Sequence, residues 1–329
     1  MEDVAREAQV SRALVSLVMR EQPNVSEERR RRVLEAAARL GYRPNAMARS
    51  LASRRTKTVG VLLDDLRNPF FADIAGGVEE LASELGYQLL LAAGNRQARR
   101  EHAALSALLE YRVDGIILVS PRMRVADIAA AAVEAPLVMV GRHARGVNAD
   151  FVLTDERHGT ELVLDHLVGL GHERIAHVDG GSGAGGPQRR AAYIRGMKAR
   201  RLGRYVQVIA GDFTEEAGVI AARELTADSS KLPTAIFAAN DMIAAGLLGG
   251  FDRASVEVPD AVSIVGYDNV GIAHLAHVSL TTIDQPRTEM GRLALELVLD
   301  RIDNRRPSIV RLLEPTLVVR STSAGPRPA

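Results

Sequence analysis

Residues 3–18 read Asp3-Val4-Ala5-Arg6-Glu7-Ala8-Gln9-Val10-Ser11-Arg12-Ala13-Leu14-Val15-Ser16-Leu17-Val18. Val4, Ala5 and Ala8 fall at i, i+1 and i+4, one face of a short helix, and Ala8-Gln9-Val10 is the turn that ends it. Ser11 opens a second helix, where its hydroxyl can accept from a first-turn amide, and Val15 and Val18 recur three residues apart on the inner side. Arg12, Ala13, Ser16, Leu17 and Arg20 are left on the outer side. Two short helices across a tight turn form a helix-turn-helix, whose second helix can enter a DNA major groove. Ser26 is placed to cap a third helix, packed through Val33, Leu34, Ala37 and Leu40 and ended by Gly41. Residues 1–44 therefore predict a small all-α domain.

Charge divides the chain at the same place. Residues 1–57 hold 13 Lys+Arg against 7 Asp+Glu, a net of +6, and the rest hold 29 against 34, a net of −5. A basic head suits a polyanion, because Lys and Arg at phosphates release condensed counterions, although charge alone equally suits a solvated arginine face. A length of 329 residues allows two or three domains. There is no run of about 18 apolar residues to span a bilayer, and Met1 leads into Glu2, Asp3 and Glu7 rather than a basic, apolar leader. The expectation is a cytoplasmic protein with no membrane partner. The absence of cysteine excludes disulfides, thiolate metal sites and Cys nucleophiles.

Beyond Thr58 buried strand patterns at 59–63, 88–91, 115–119, 174–178, 206–209, 234–237 and 262–265 alternate with helical stretches. Such alternation specifies an α/β body of parallel sheets covered by helices, and its length suits two lobes with a ligand outside the carboxyl ends of the strands. Polar and aromatic residues gather at those ends: Asp64, Asp65, Phe70 and Phe71, then Phe213, Asn240-Asp241 and Tyr267-Asp268. Carboxylate, amide and guanidinium groups bond vicinal hydroxyls in pairs, and a ring covers the C–H face of a sugar or a purine. Taken singly, Asp64, Asn240 and Asp268 would equally serve as helix caps, and Phe71 and Phe213 as core.

The chain resembles the lactose/galactose repressor (LacI/GalR) family. The resemblance is carried in the head by Asp3-Val4-Ala5, Val10-Ser11, Val15-Ser16, Val25-Ser26, Leu40-Gly41-Tyr42 and Pro44-Asn45. In the body it is carried by Asn68-Pro69-Phe70-Phe71, Leu170 through Ala176, Ala239-Asn240-Asp241 and Val265-Gly266-Tyr267-Asp268. It implies a helix-turn-helix head (1–44), a hinge helix and linker (45–57), and a two-lobed periplasmic-binding-protein-like body. The lobes are expected at 58–153 with 284–314 and at 154–283 with 315–329. The implied function is a homodimeric transcriptional regulator, a repressor of a pseudo-palindromic operator, controlled by a sugar or sugar derivative; a purine or nucleoside is the alternative effector. No enzyme activity, cofactor or metal is implied.

Carried across by position, the resemblance assigns DNA contacts to Ser11, Arg12, Ala13, Ser16, Leu17, Arg20 and Asn24, and in the hinge to Asn45, Ala48, Arg49 and Leu51. Leu51 is the implied wedge between base steps, against the plainer reading of a packed linker leucine. Effector contacts are assigned to Asp64, Phe70, Phe71, Arg189, Phe213, Asn240 and Asp268.

Four departures stand out. The chain begins at Met1 inside the first helix, where the family has a hydroxyl cap, so either an upstream start or a weakened head is expected. Gln9 replaces a turn glycine, adding about 1 kcal/mol of strain if φ is positive. Leu17 stands where an arginine commonly reads guanine, and Gly141 where an acid is common.

Gly181-Ser182-Gly183-Ala184-Gly185-Gly186 follows a strand pattern and precedes a helix, the context of a dinucleotide fingerprint, so an NAD-dependent oxidoreductase is the enzyme rival. The acid expected about 20 positions later is missing, Asp212 lying too far on, and a loop closing over the effector is the alternative. His172-Glu173 is not a zinc motif, because the next histidine is His177, and neither G-K-[ST] nor G-x-S-x-G occurs. A solute-binding protein would need an export signal.

Leucine cannot donate to guanine but can touch a thymine methyl. Operator selection with the wild type and with Leu17→Arg should therefore shift one half-site position toward guanine, by about 1–3 kcal/mol of discrimination. An unchanged base preference would remove Leu17 from the recognition surface.

Overall fold

The structure, a computed structural model, describes residues 1–19, 22–42, 55–228, 232–304 and 307–327. It divides into two compact units, Met1–Lys57 and Thr58–Ala329.

In the first unit α1 (Glu2–Glu7), α2 (Arg12–Met19) and α3 (Glu27–Arg39) enclose a core of Val4, Ala5, Ala8, Val15, Val18, Val25, Val33, Ala36 and Ala37. The turn between α1 and α2 places Gln9 at φ +54°, the left-handed conformation expected to strain a residue with a Cβ. Ser11 caps α2, its hydroxyl accepting from the Leu14 amide at 3.2 Å. Ser26 occupies the cap position of α3 without making a side-chain cap bond. The packing face of α3 differs from the expected one. Val33, Ala36 and Ala37 are inside, whereas Leu34 and Leu40 are 49% and 47% exposed. Phase rather than residue type decides this, because i, i+3 and i+4 share a face and Leu34 sits a third of a turn away. Alanines at that face let α3 approach α1 closely, and Arg32 Nη2 then donates to the Ala8 carbonyl at 2.6 Å.

The second unit holds two six-stranded sheets, their strands numbered along the chain. The first sheet combines β1 (Thr58–Leu63), β2 (Gln88–Ala93), β3 (Gly115–Val119), β4 (Leu137–Val140), β5 (Asp150–Thr154) and β11 (Val310–Leu313), in the order β11-β5-β4-β3-β1-β2. All its pairs are parallel. The second combines β6 (Ile175–Val178), β7 (Gln207–Ile209), β8 (Ala235–Ala238), β9 (Ser263–Asp268), β10 (Thr281–Asp284) and β12 (Thr316–Val318), in the order β12-β10-β9-β8-β6-β7. Only β12 in that sheet runs antiparallel, against β10. Helices cover both faces, so the central strands β1, β3, β4, β6, β8 and β9 are buried along nearly their whole length. The chain passes between the sheets at 154–155, 284–285 and 313–316.

Each lobe is closed by one glycine-mediated helix pair. In the first, Pro69–Leu85 packs on Arg287–Ile302, where a Cβ at Gly77 would stand 2.1 Å from the Thr288 carbonyl oxygen and one at Gly291 2.1 Å from that of Ile74. In the second, Glu215–Thr226 packs on Asp241–Arg253, where a Cβ at Gly218 would stand 2.1 Å from the Ile243 carbonyl oxygen and one at Gly246 2.0 Å from that of Glu215. Backbones meet at these points, and any side chain would force them apart.

Under the second sheet the Asp241 carboxylate is fully buried, accepting from the Val270 amide at 2.8 Å and lying 2.5 Å from the Thr282 hydroxyl. Burial, and then the nearby Asp268 carboxylate, push its carboxyl up to about 8. The folded chain thus holds a proton that the unfolded chain releases near pH 4. This contribution to stability is complete below pH 4 and is lost as the pH rises through about 8. Asp241→Asn reproduces the neutral carboxyl. Urea unfolding at pH 6 and pH 8.5 should show a smaller loss of stability for the variant than for the wild type, by about 1 kcal/mol or more. Equal slopes would mean that Asp241 is already ionised in the fold.

Candidate DNA-reading head and effector cleft

On α2 the side turned from the core carries Arg12, Ala13 and Leu17, with Leu17 38% exposed, and Ser16 is half-buried. Ser11 and Asn24 are exposed beside them. The first turn of α2 contains no acid, so its free amides and Arg12 present a positive end suited to phosphate. Arg12 makes a surface pair with Glu2 at 3.2 Å, which a phosphate can readily replace. Arg20, Asn45, Ala48, Arg49 and Leu51 lie outside the described residues.

The body holds a cleft at the carboxyl ends of the two sheets, the place where an α/β body binds a small molecule. Asp64, Phe70, Phe71, Arg189, Phe213, Asn240 and Asp268 all line it. Asn68 caps the helix Pro69–Leu85 through the Phe70 amide at 3.0 Å, which fixes the two rings edge to face at 5.3 Å. Phe70 and Phe71 are also part of the core of the first lobe, so each has a packing role as well as a place on the cleft wall. The same is true of Asn240. Its Oδ1 caps Asp241–Arg253 by accepting from the Ile243 amide at 2.9 Å, and its Nδ2 donates to the Phe213 carbonyl at 3.2 Å.

Asp64 and Asp268 are not caps. Asp64 accepts both its bonds from Arg122 Nε, at 2.8 and 3.1 Å. Asp268 sits at φ +110° at the end of β9, accepts from Gln285 Nε2 at 2.7 Å and lies 3.7 Å from Arg189 Nη1. Burial pushes its carboxyl up to about 7 against the pull of Arg189.

Arg189 is the most constrained group in the cleft. Its Nε and Nη2 donate to Glu156 at 2.7 and 3.1 Å, its Nη1 donates to the Ala239 carbonyl at 2.6 Å, and its guanidinium lies 3.6 Å over the Tyr267 ring. Burial opposes its charge, but Glu156, Tyr267 and Asp268 outweigh that penalty and keep it protonated.

Phe213, at φ +67°, rests its ring on the glycine run. A Cβ at Gly180 would come within 2.1 Å of the ring and one at Gly183 within 2.8 Å. Gly183 of the fingerprint, with Gly180 just before it, is therefore a seat for an aromatic side chain, Gly181 and Gly186 are closed against backbone, and Ala184 lines the cleft. Asp212, too far along for a ribose contact, instead accepts from Arg96 Nη2 at 2.7 Å, a bond from the first lobe to the second. Gly141 lines the cleft at φ +76° and offers no side chain for a hydroxyl.

Sequence reasoning missed Arg96, Arg122, Glu156 and Gln285, all of which line the cleft. Arg122, Glu156 and Gln285 follow the ends of β3, β5 and β10 by one to three residues, the very signal used elsewhere, but β5 and β10 were not expected. Among the described residues there is no cluster of His, Cys, Asp and Glu able to hold a metal ion, and no helix long and apolar enough to cross a membrane.

Residues 1–45 match the family described as bacterial regulatory proteins, lacI family, and residues 164–323 match the periplasmic binding protein-like domain. The chain is similar to the ribose operon repressor of Haemophilus influenzae, 34% identical over 325 residues and covering 98% of each. It is similar to the HTH-type transcriptional repressor PurR of Photobacterium profundum, 34% identical over 332 residues and again covering 98% of each. The lac repressor dimer bound to operator and the anti-inducer ONPF shares the fold with a TM-score of 0.86 at 26% identity, over 98% of both chains.

Replacing Arg189 by methionine would leave the partly buried Glu156 without its partner and the buried Asp268 with Gln285 alone. Urea unfolding of Arg189→Met should show a loss of about 3–5 kcal/mol, part of which Arg189→Met/Glu156→Gln should restore. A loss under 1 kcal/mol would show that the guanidinium is dispensable to the fold.

Proposed function

The chain belongs to the lacI family of bacterial regulatory proteins, and from this we propose that its effector is a sugar or sugar derivative held between the two lobes of a homodimeric repressor. As a member of that family it is a sequence-specific DNA-binding transcriptional regulator, not an enzyme. The observation that carries the effector reading is the pairing of Asp268, Arg189 and Asn240 on the second lobe with Phe70 and Phe71 on the first, within one cleft. Neighbouring hydroxyls of a sugar take paired bonds from such polar groups, while an aromatic ring covers its C–H face. Similarity to a ribose operon repressor supports the same class. Phe70, Phe71 and Phe213 in one cleft favour a purine or nucleoside as the second reading, since flat rings also cover a base.

Ser11, Arg12, Ala13, Ser16, Leu17, Arg20 and Asn24 are assigned to the major groove, and Asn45, Ala48, Arg49 and Leu51 to the minor groove, on the strength of the resemblance. One head touches a short half-site, so a two-fold pair on half-sites about one helical turn apart gives the affinity that one copy lacks. The dimeric lac repressor on its operator supports that assembly. Acting on the chromosome, the protein works in the cytoplasm.

A thermal-shift screen of the full chain against pentoses, hexoses, disaccharides, purines and nucleosides tests the effector, because a ligand at 100 times its Kd adds about 2.7 kcal/mol. A sugar should raise Tm in the wild type and not in Asp268→Asn, and should change the salt-dependent binding of a palindrome near the protein's own gene. A response to purines or nucleosides alone would replace the sugar reading with the second one.

A further inference from the structure

One of the cleft's own side chains lies across it. The free space left is about 50 Å³, whereas small-molecule sites enclose about 300 Å³ or more. Arg122 starts from the loop after β3 in the first lobe and lines the cleft with its guanidinium against the second. A Cβ at Gly183 would stand 3.2 Å from Arg122 Nη2 and 2.8 Å from the Phe213 ring, so the arginine shares the seat of that ring.

The base of this arm is clamped and its tip is not. The Arg122 and Met123 amides donate to the fully buried Glu101 carboxylate at 2.8 and 2.7 Å. From the other side Arg142 Nη1 donates to the Pro121 and Met123 carbonyls at 2.7 and 2.8 Å. The loop therefore keeps its place when the side chain moves. The guanidinium is bonded through Nε alone, to the two oxygens of Asp64 at 2.8 and 3.1 Å, and not by the two-nitrogen fork of a tight arginine–carboxylate pair. Arg189, by contrast, is held through Nε, Nη1 and Nη2. Asp64 is only 5% exposed, and a carboxylate so placed needs donors. Arg122 supplies them here, and two neighbouring hydroxyls of a ligand present the same pattern.

We propose that Arg122 is a built-in plug of the cleft, an affinity-determining side chain that holds Asp64 and the seat beside Phe213 until an effector displaces it. Effector affinity is then lowered by the fraction of molecules in which the arm is out of the way, as for any site that must first reach its competent state. Specificity follows from the same contest, because only a ligand whose donors replace the guanidinium leaves no buried charge unanswered at Asp64. The proposal rests on this cleft being the effector site and holds for a sugar and a nucleoside alike.

Calorimetric titration of the full chain with D-ribose, D-glucose, D-galactose, adenosine, guanosine and hypoxanthine tests it, in the wild type, Arg122→Met and Arg122→Gln. Both variants remove the arm, and the glutamine amide can still donate to Asp64, which protects the fold. At least one compound should bind a variant about tenfold or more tighter than it binds the wild type, the gain for an arm displaced in about a tenth of molecules or fewer. Adding Asp268→Asn should abolish that gain, because the ligand occupies the same cleft. A tenfold loss in the variants would make Arg122 a direct effector contact, overturning the plug and leaving the effector cleft in place. Unchanged affinities, or folded variants that bind none of the compounds, would show that the arm obstructs nothing. A gain that survives Asp268→Asn would refute the plug and the cleft reading together. A gain confined to adenosine, guanosine and hypoxanthine would support the plug and replace the sugar reading.

Discussion

A guanidinium sealed from water must be answered by negative charge and acceptors or it will not stay in place. Arg189 is answered by Glu156, the Ala239 carbonyl, Asp268 and the face of Tyr267. These partners come from different parts of the chain: Glu156 directly follows the first passage between the sheets, Ala239 directly follows β8, and Asp268 ends β9. Asp268 is tied through Gln285 to Thr154, and these two residues stand at the first and second passages. The floor of the cleft and the strands that join the lobes are therefore one polar network. A ligand that bonds Asp268 or Arg189 acts directly on the groups that hold the hinge.

The same region carries part of the chain's backbone strain. Arg96, Phe213 and Asp268 are non-glycine residues at φ +61°, +67° and +110°, conformations that cost about 1–3 kcal/mol each and persist only where the surroundings impose them. All three line the cleft. Arg96 gains in return the bond to Asp212 across the lobes, and Phe213 gains its seat on Gly180 and Gly183. Arg96 Nε is nevertheless buried without a partner, an additional cost carried at the mouth of the cleft. The fold spends stability on presenting these groups, as a rigid binding surface requires.

What could be read from the residues followed the strength of the local pattern. Val59, Val61, Ile116 and Ile117 are apolar residues in strands buried on both faces, and such runs mark β1 and β3 without ambiguity. β5 begins with Asp150, whose buried carboxylate is neutralised by Arg301 at 3.0 Å from a distant helix. No local signal shows that partner, so the strand and Glu156 after it were hidden together. β10, Thr281–Asp284, is short and half polar, and Gln285 was lost with it. On α3 leucine was assigned inward by type when phase placed alanine there. Most cleft residues that were found carried their own evidence, a ring, an acid or an amide just after an obvious strand, whereas Arg189, inside a helix, came only from the family resemblance. Those that were missed act through partners far away in sequence.

Operator affinity can respond to an effector only as far as the effector binds one lobe arrangement better than another. A cleft built from a single lobe would give no such difference. Here Asp64, Phe70 and Phe71 belong to the first lobe and Phe213, Asn240 and Asp268 to the second, so their distances to a common ligand change together when the lobes move. The glycine-mediated helix pairs make each lobe internally stiff, because Gly77, Gly291, Gly218 and Gly246 leave no slack between backbones. Deformation is thereby directed to the three passages between the sheets. The Arg96–Asp212 bond adds a direct link between lobes, and its energy is part of the balance that ligand contacts must tip. Because that pair is half-exposed on the Asp212 side, its share is small and screened by salt. On the proposed effector reading, the decisive difference between arrangements therefore comes from the buried polar groups that line the cleft from both lobes.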